Sequence, residues 1–167
     1  FSGYVSEHSG YHHGESSING AIIGLAQIFV GSNNLNLFEP NGQFGTRING
    51  GKDHSSERYI FTQLNKLTRL IYRSEDDGIL TYLDDDGLLV EPIYYVPIIP
   101  MVLVNGAKGI GTGFSTDVLC YDTQEVINAI KCKLNGEGLI GNEKVNMKPY
   151  YRGFKGEINP VSYTHQT

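Results

Sequence analysis

Asp53-His54-Ser55-Ser56-Glu57-Arg58-Tyr59-Ile60-Phe61-Thr62-Gln63-Leu64-Asn65-Lys66-Leu67-Thr68-Arg69-Leu70-Ile71 is the stretch on which the fold turns. Ile60, Leu64, Leu67 and Ile71 recur every three or four residues with Phe61 beside them. Asp53, His54, Ser55 and Ser56 offer N-terminal capping types just before, so the spacing predicts a helix. Arg58, Thr62, Lys66, Arg69 and Arg73 fall on its other side, a basic stripe that is either a solvated face or an anion-binding one. Towards the N-terminus, Ile18, Ala21, Ile22, Leu25, Ala26 and Phe29 repeat at helical spacing between Gly14 and Gly31 and predict an earlier helix. Residues 31–52, rich in Gly and Asn, read as loops and short strands.

Downstream the signals become β-like. Residues 79–83 and 87–91 flank Asp84-Asp85-Asp86, and the apolar residues 93–104 are interrupted by Pro97 and Pro100. A third helix is predicted from Asp122, where Asp122-Thr123-Gln124-Glu125 has capping-box spacing, continuing through Val126, Ile127 and Ile130. The expected class is α+β, a mainly helical unit to about Asp77 followed by an α+β unit.

Composition bounds the function more loosely. With 167 residues, 40% of them hydrophobic, the chain can bury a core, and it carries no like-charge block longer than the three aspartates. The total of 13 Lys and Arg against 18 Asp and Glu, a net charge of −5, argues against a polyanion partner. That total hides an uneven distribution. No Lys or Arg precedes Arg47, residues 41–75 are locally basic, and Asp76, Asp77, Asp84, Asp85, Asp86 and Glu91 then follow without a basic residue. The longest apolar run, 97–104, is too short to span a membrane. Cys120 and Cys132 are expected to be free thiols of a reducing compartment. A chain that begins at Phe1 without methionine is expected to be part of a longer polypeptide.

Several residues could carry chemistry. Tyr59 lies one position off the apolar stripe and next to Arg58, so its ring is expected at a helix flank. There it is either a packing residue or a nucleophile. A phenol ionises only near pH ~10, so a nucleophilic tyrosine needs a base, a metal or a positive neighbour, and Arg58 supplies a permanent charge. The free N–H groups of a helix start would add a partial one. His12 and His13 are adjacent and point apart, which makes them a poor chelate but possible phosphate donors or ordinary turn residues. The aspartate run followed by Gly87 reads more simply as a hairpin turn than as a calcium loop. Ile110, set between Gly109 and Gly111, either plugs a core at a bend or is an exposed wedge of the kind that kinks duplex DNA.

Four segments in order, Ser9-Gly10-Tyr11-His12-His13-Gly14-Glu15, Gly31-Ser32-Asn33-Asn34-Leu35-Asn36-Leu37, residues 42–53 from Gly42-Gln43-Phe44-Gly45-Thr46-Arg47 to Gly50-Gly51-Lys52-Asp53, and Arg58-Tyr59-Ile60-Phe61-Thr62, resemble the breakage-reunion region of type IIA DNA topoisomerases in their eukaryotic form. Residues 91–101 and 104–113 look like the entry to that family's tower domain. The resemblance implies a winged-helix (helix-turn-helix type) DNA-cleavage domain at 1–77 and a partial α/β tower domain at 78–167. It implies that Tyr59 attacks a DNA phosphodiester to give a 5′-phosphotyrosyl link, that Arg58 stabilises the transition state, and that Ile110 intercalates. It further implies that His12, His13, Arg47 and Lys52 contact DNA.

No metal ligand is assigned in this chain. Mg2+ and ATP are expected on parts of the enzyme outside it, and the chain alone is expected to be inactive. The implied partners are double-stranded DNA, a second copy in a homodimer, and the metal-binding and ATPase domains of the same polypeptide, with no membrane. The implied location is the nucleus if the source is cellular, or host cytoplasm or nucleus if viral. His54-Ser55-Ser56-Glu57 and Phe114 depart from the family pattern and suggest a divergent lineage such as a large DNA virus. Glu57 could pair with Arg58 and lower its availability. Two alternatives stand beside this resemblance: a winged-helix DNA-binding module without chemistry, and a metal-dependent hydrolase using His12, His13 and the aspartates.

Overall fold

The computed structural model describes residues 1–136 and 147–158. They form an α+β structure that divides into two compact units between Ile98 and Ile99. The expected division near Asp77 falls inside the first unit.

In the first unit, α1 (Ser2–His8) precedes α2 (Glu15–Ala26), the helix expected from the apolar repeat. Ile18, Ile23 and Ala26 are its buried positions. Ile23 and Ala26 join Phe44 and Ile60 in the core, with Phe38 packed against them. Burying one such large apolar side chain contributes about 1.5–3 kcal/mol, so a few contacts of this kind fix where the strand after Tyr59 begins.

The predicted helix over residues 60–71 does not form. Glu57–Tyr59 is a single 3-10 turn, residues 60–65 run extended, residues 66–67 turn, and only Thr68–Ile71 (α3) is helical. The extended part pairs with residues 37–41. Phe61 N–H donates to the Asn41 carbonyl (2.9 Å), and Asn41 N–H donates back to Phe61 (3.0 Å). Glu39 N–H donates to Gln63 (2.8 Å), and Asn65 N–H donates to Leu37 (2.9 Å). Tyr59-Ile60-Phe61-Thr62 is a run of aromatic and β-branched residues that suits a pleated strand, and a partner segment satisfies its backbone. The basic stripe dissolves with the helix. Arg69 instead pairs with Asp77 (2.6 Å) and Arg73 with Glu75 (3.3 Å).

After a second 3-10 segment (Ser74–Ile79), β1 (Tyr82–Asp85) and β2 (Leu88–Pro92) form the hairpin expected around the aspartates. Asp86 and Gly87 both have positive φ, 52° and 89°, as a two-residue hairpin turn of this hand requires. Asp84 accepts the Gly87 N–H at 2.9 Å, so this carboxylate serves the turn.

In the second unit, α4 (Met101–Val104) leads into the hairpin β3 (Ala107–Gly111) and β4 (Phe114–Val118), followed by α5 (Thr123–Leu134). The Asp122 side chain caps α5 by accepting the Gln124 and Glu125 N–H groups, as its sequence signature predicts. Val104 of α4 and Val126 of α5 are the largest fully buried side chains among the described residues, and the two helices pack together.

Candidate active site

Three local structures bring the functional candidates into position within the first unit. The first is a loop, residues 44–53, between α2 and the tyrosine. Gly51 N–H donates to the Thr46 carbonyl (2.8 Å), Gly50 N–H to Arg47 (3.1 Å) and Lys52 N–H to Asn49 (3.2 Å), so the chain turns twice in succession. Gly45 has φ of +100°, and a Cβ there would lie 2.5 Å from the Gly51 carbonyl oxygen, so only glycine lets the two strands of the loop close together.

Asp53, expected as a helix-capping residue, instead ties the loop. It accepts the Thr46 Oγ1 hydroxyl (2.7 Å) and the Thr46 N–H (2.8 Å). The Thr46 hydroxyl above all, then its N–H, pulls the Asp53 carboxyl down from its ordinary 3.8 to about 2. A lowered folded-state value means that Asp53 stabilises the fold above about pH 4 and loses that contribution as pH falls from about 4 to about 2. Asp53→Asn is therefore expected to flatten the acid limb of a stability-against-pH curve in that window, measured by urea unfolding; an unchanged limb would show that the bonds to Thr46 contribute nothing. Arg47 and Lys52 are both exposed on this loop and form no ion pair among the described residues.

The second structure is the 3-10 turn at Glu57–Tyr59. Tyr59 is 70% exposed and its N–H donates to the Ser56 carbonyl (2.9 Å), so no free helix N-terminus stands behind it. The positive charge beside it is Arg58, whose guanidinium carbon lies 5.9 Å from the Tyr59 ring centroid. Glu57 does not pair with Arg58, and Arg58 makes no ion pair among the described residues, so its charge is available. Buried Ile60 anchors the turn immediately after Tyr59. Glu57, Arg58 and Ile60 line a cleft of about 720 Å3 together with Ile23, Phe44 and Asn19. His54 is taken up locally, its Nδ1 lying 2.9 Å from the Ser55 carbonyl oxygen.

The third is the turn between α1 and α2. His12 and His13 are both exposed; His12 Nε2 lies 3.7 Å from Asp85 Oδ2, and the His13 ring meets Tyr11 edge-on at 5.4 Å. Among the described residues no three His, Cys, Asp or Glu side chains converge. Ile110, in the second unit, is 95% exposed one pair before the β3–β4 turn, which removes the core-plug alternative and leaves the exposed one.

Gln27, which the sequence did not single out, builds the loop under Arg47 and Lys52 together with Asp53, which the sequence had assigned to a helix cap. The only signal of Gln27 was a polar residue at the end of an apolar helix. The whole chain, residues 1–167, matches the A-subunit family of DNA gyrase/topoisomerase IV. The chain belongs to this family. Among relatives of this topoisomerase-family chain, DNA topoisomerase 2 of Pisum sativum is 56% identical over 158 residues, 95% of the chain and 10% of the relative. DNA topoisomerase 2 of Drosophila melanogaster is 53% identical over 161 residues, covering 96% of the chain and 11% of the relative. The chain thus spans about a tenth of the length of the curated relatives it matches. The solved DNA-binding, cleavage and re-ligation domain of Plasmodium falciparum topoisomerase II superposes with a TM-score of 0.88 at 52% identity, covering 95% of this chain and 21% of that one.

Proposed function

We propose that this chain is the breakage-reunion piece of an ATP-dependent type II DNA topoisomerase. In this reading the first unit carries the winged-helix cleavage domain and the second the beginning of the tower domain. The observation that carries it is the pairing of an exposed Tyr59 with an unneutralised Arg58 on a turn pinned to the core by Ile60. The Tyr59 hydroxyl gives up its proton and attacks a DNA phosphorus. A tyrosine O–P bond forms, the bond to the 3′ oxygen breaks, and that oxygen takes up a proton to become a 3′ hydroxyl. One phosphoester replaces another, so the reverse reaction reseals the strand without an outside energy source. What the protein supplies is position and charge: Arg58 faces the negative charge that builds on the phosphoryl oxygens in the transition state.

Arg47 and Lys52 hold the DNA backbone as phosphate contacts, and His12 and His13 contact it near the cleavage point. Ile110 enters a base step and bends the duplex. Mg2+ and ATP bind parts of the polypeptide outside this chain. Two copies act together, each Tyr59 cutting one strand so that a second duplex passes, in the nucleus of a cellular source or in the host cytoplasm or nucleus of a viral one. No helix among the described residues is long and apolar enough to cross a membrane.

Quenching the intact enzyme with detergent in the presence of supercoiled plasmid and Mg2+ is expected to give linear DNA with protein on both 5′ ends. No cut at all would favour the DNA-binding module without chemistry, and cut DNA free of protein would point to hydrolysis. Ile110→Ala is expected to leave the melting temperature unchanged, because the side chain is 95% exposed. The same substitution is expected to abolish most of the duplex bend seen by energy transfer between end-labelled fluorophores. Undiminished bending would remove the wedge assignment.

A further inference from the structure

Gln27 is half-buried at the C-terminal end of α2, with its own N–H bonded to the Ile23 carbonyl at 3.1 Å. Its Nε2 donates to two loop carbonyls, Phe44 at 2.8 Å and Gly51 at 3.1 Å. Both hydrogens of one planar amide are thereby used on the two limbs of a single loop, one before Arg47 and one beside Lys52. The fit leaves no slack: a Cβ on Gly51, whose φ is +80°, would collide with the Gln27 amide. From the far side Asp53 holds Thr46 through its N–H and hydroxyl. The base of the clamp is fixed in turn, because Asn33 Nδ2 donates to the Gln27 carbonyl (3.0 Å) and the Gly24 carbonyl (2.7 Å) at the end of the helix. The amide is therefore a rigid bar between α2 and a turn whose two exposed cations carry no ion pair among the described residues.

We propose that Gln27 is a positioning residue for DNA binding, its side-chain amide holding residues 44–52 in the conformation that presents Arg47 and Lys52 to the phosphate backbone. It touches no DNA itself. The proposal rests on the assignment of Arg47 and Lys52 as phosphate contacts. Without the amide, two loop carbonyls lose their donor and the limbs are free to part, which costs the two cations their fixed placement even though both remain charged.

The test is the salt dependence of duplex binding by the intact enzyme, since each phosphate contact adds roughly 0.9 to the slope of log affinity against log salt. Gln27→Met keeps side-chain length and adds no charge but removes both donors. It is expected to lower the slope by about 1.8, so that between about 50 and 200 mM salt the wild type loses roughly tenfold more affinity than the variant. Arg47→Ala/Lys52→Ala should lower the slope equally, and adding Gln27→Met to that pair should change it no further. A merely structural loss of folded protein shifts the binding curve without tilting it, which keeps the two roles apart; circular dichroism reports the folded fraction. A lowered slope in the Arg47/Lys52 variant with an unchanged slope in Gln27→Met overturns the role of Gln27 alone. An unchanged slope in the Arg47/Lys52 variant overturns the phosphate assignment and the role of Gln27 with it.

Discussion

Tyr59→Phe is expected to abolish the covalent protein–DNA adduct of the intact enzyme while DNA binding and fold persist. The substitution deletes one oxygen, the nucleophile, and no neighbouring hydroxyl occupies the same place on the 3-10 turn. The ring is 70% exposed, so the cost to stability should stay within about 0.5 kcal/mol. Loss of adduct with retained binding assigns Tyr59 to the chemistry and separates it from a packing role, in which the variant would still cleave. Adduct formation by the phenylalanine enzyme would sink the assignment.

Arg58→Ala carries the second large effect. The guanidinium stands unpaired beside the tyrosine, and a positive group aimed at charge that builds only in the transition state acts on rate more than on affinity. Removing one such group costs about 10²–10³ in rate, so single-turnover cleavage should fall by that factor with little change in duplex affinity. Resealing should slow in parallel, because both directions cross the same transition state. Arg58→Lys is expected to recover part of the rate: it restores the charge but not the planar fork that fits two phosphoryl oxygens. If Arg58→Ala weakens binding and leaves the cleavage rate of bound DNA intact, Arg58 is a backbone contact only.

The sequence spoke most clearly where a local pattern had a local cause. Asp122 announced α5 because a short acceptor beside two free N–H groups is a local event, and Asp86-Gly87 announced a hairpin because few residue pairs tolerate its backbone. The apolar repeat through Ile18, Ile22 and Leu25 likewise located α2. Residues 60–71 misled for the opposite reason. Ile60, Leu64, Leu67 and Ile71 share a helical interval, yet the backbone of residues 61–65 is claimed by residues 37–41, a partner twenty or more positions away that no local window contains.

The same non-local pairing removed the helix dipole from behind Tyr59 and left Arg58 as its electrostatic support. Charge was legible only in outline. Arg69 and Arg73 fell on a basic stripe that read as either a solvated or an anion-binding face and are spent on Asp77 and Glu75, whereas Arg47 and Lys52 remain free of ion pairs among the described residues. Arg58 and Tyr59 could be singled out from their order in the chain. Gln27 could not, because an amide bonded to two carbonyls leaves no mark on the sequence.

The most direct measurement is the mass of the linked peptide. The intact enzyme is trapped on duplex DNA with detergent, the DNA is trimmed by nuclease, and the protein is cut with trypsin. The expected result is a nucleotide mass on the peptide spanning residues 59–66, attached through Tyr59 by its 5′ phosphate. A nucleotide on any other of the 11 tyrosines, or attachment through a 3′ phosphate, would contradict it.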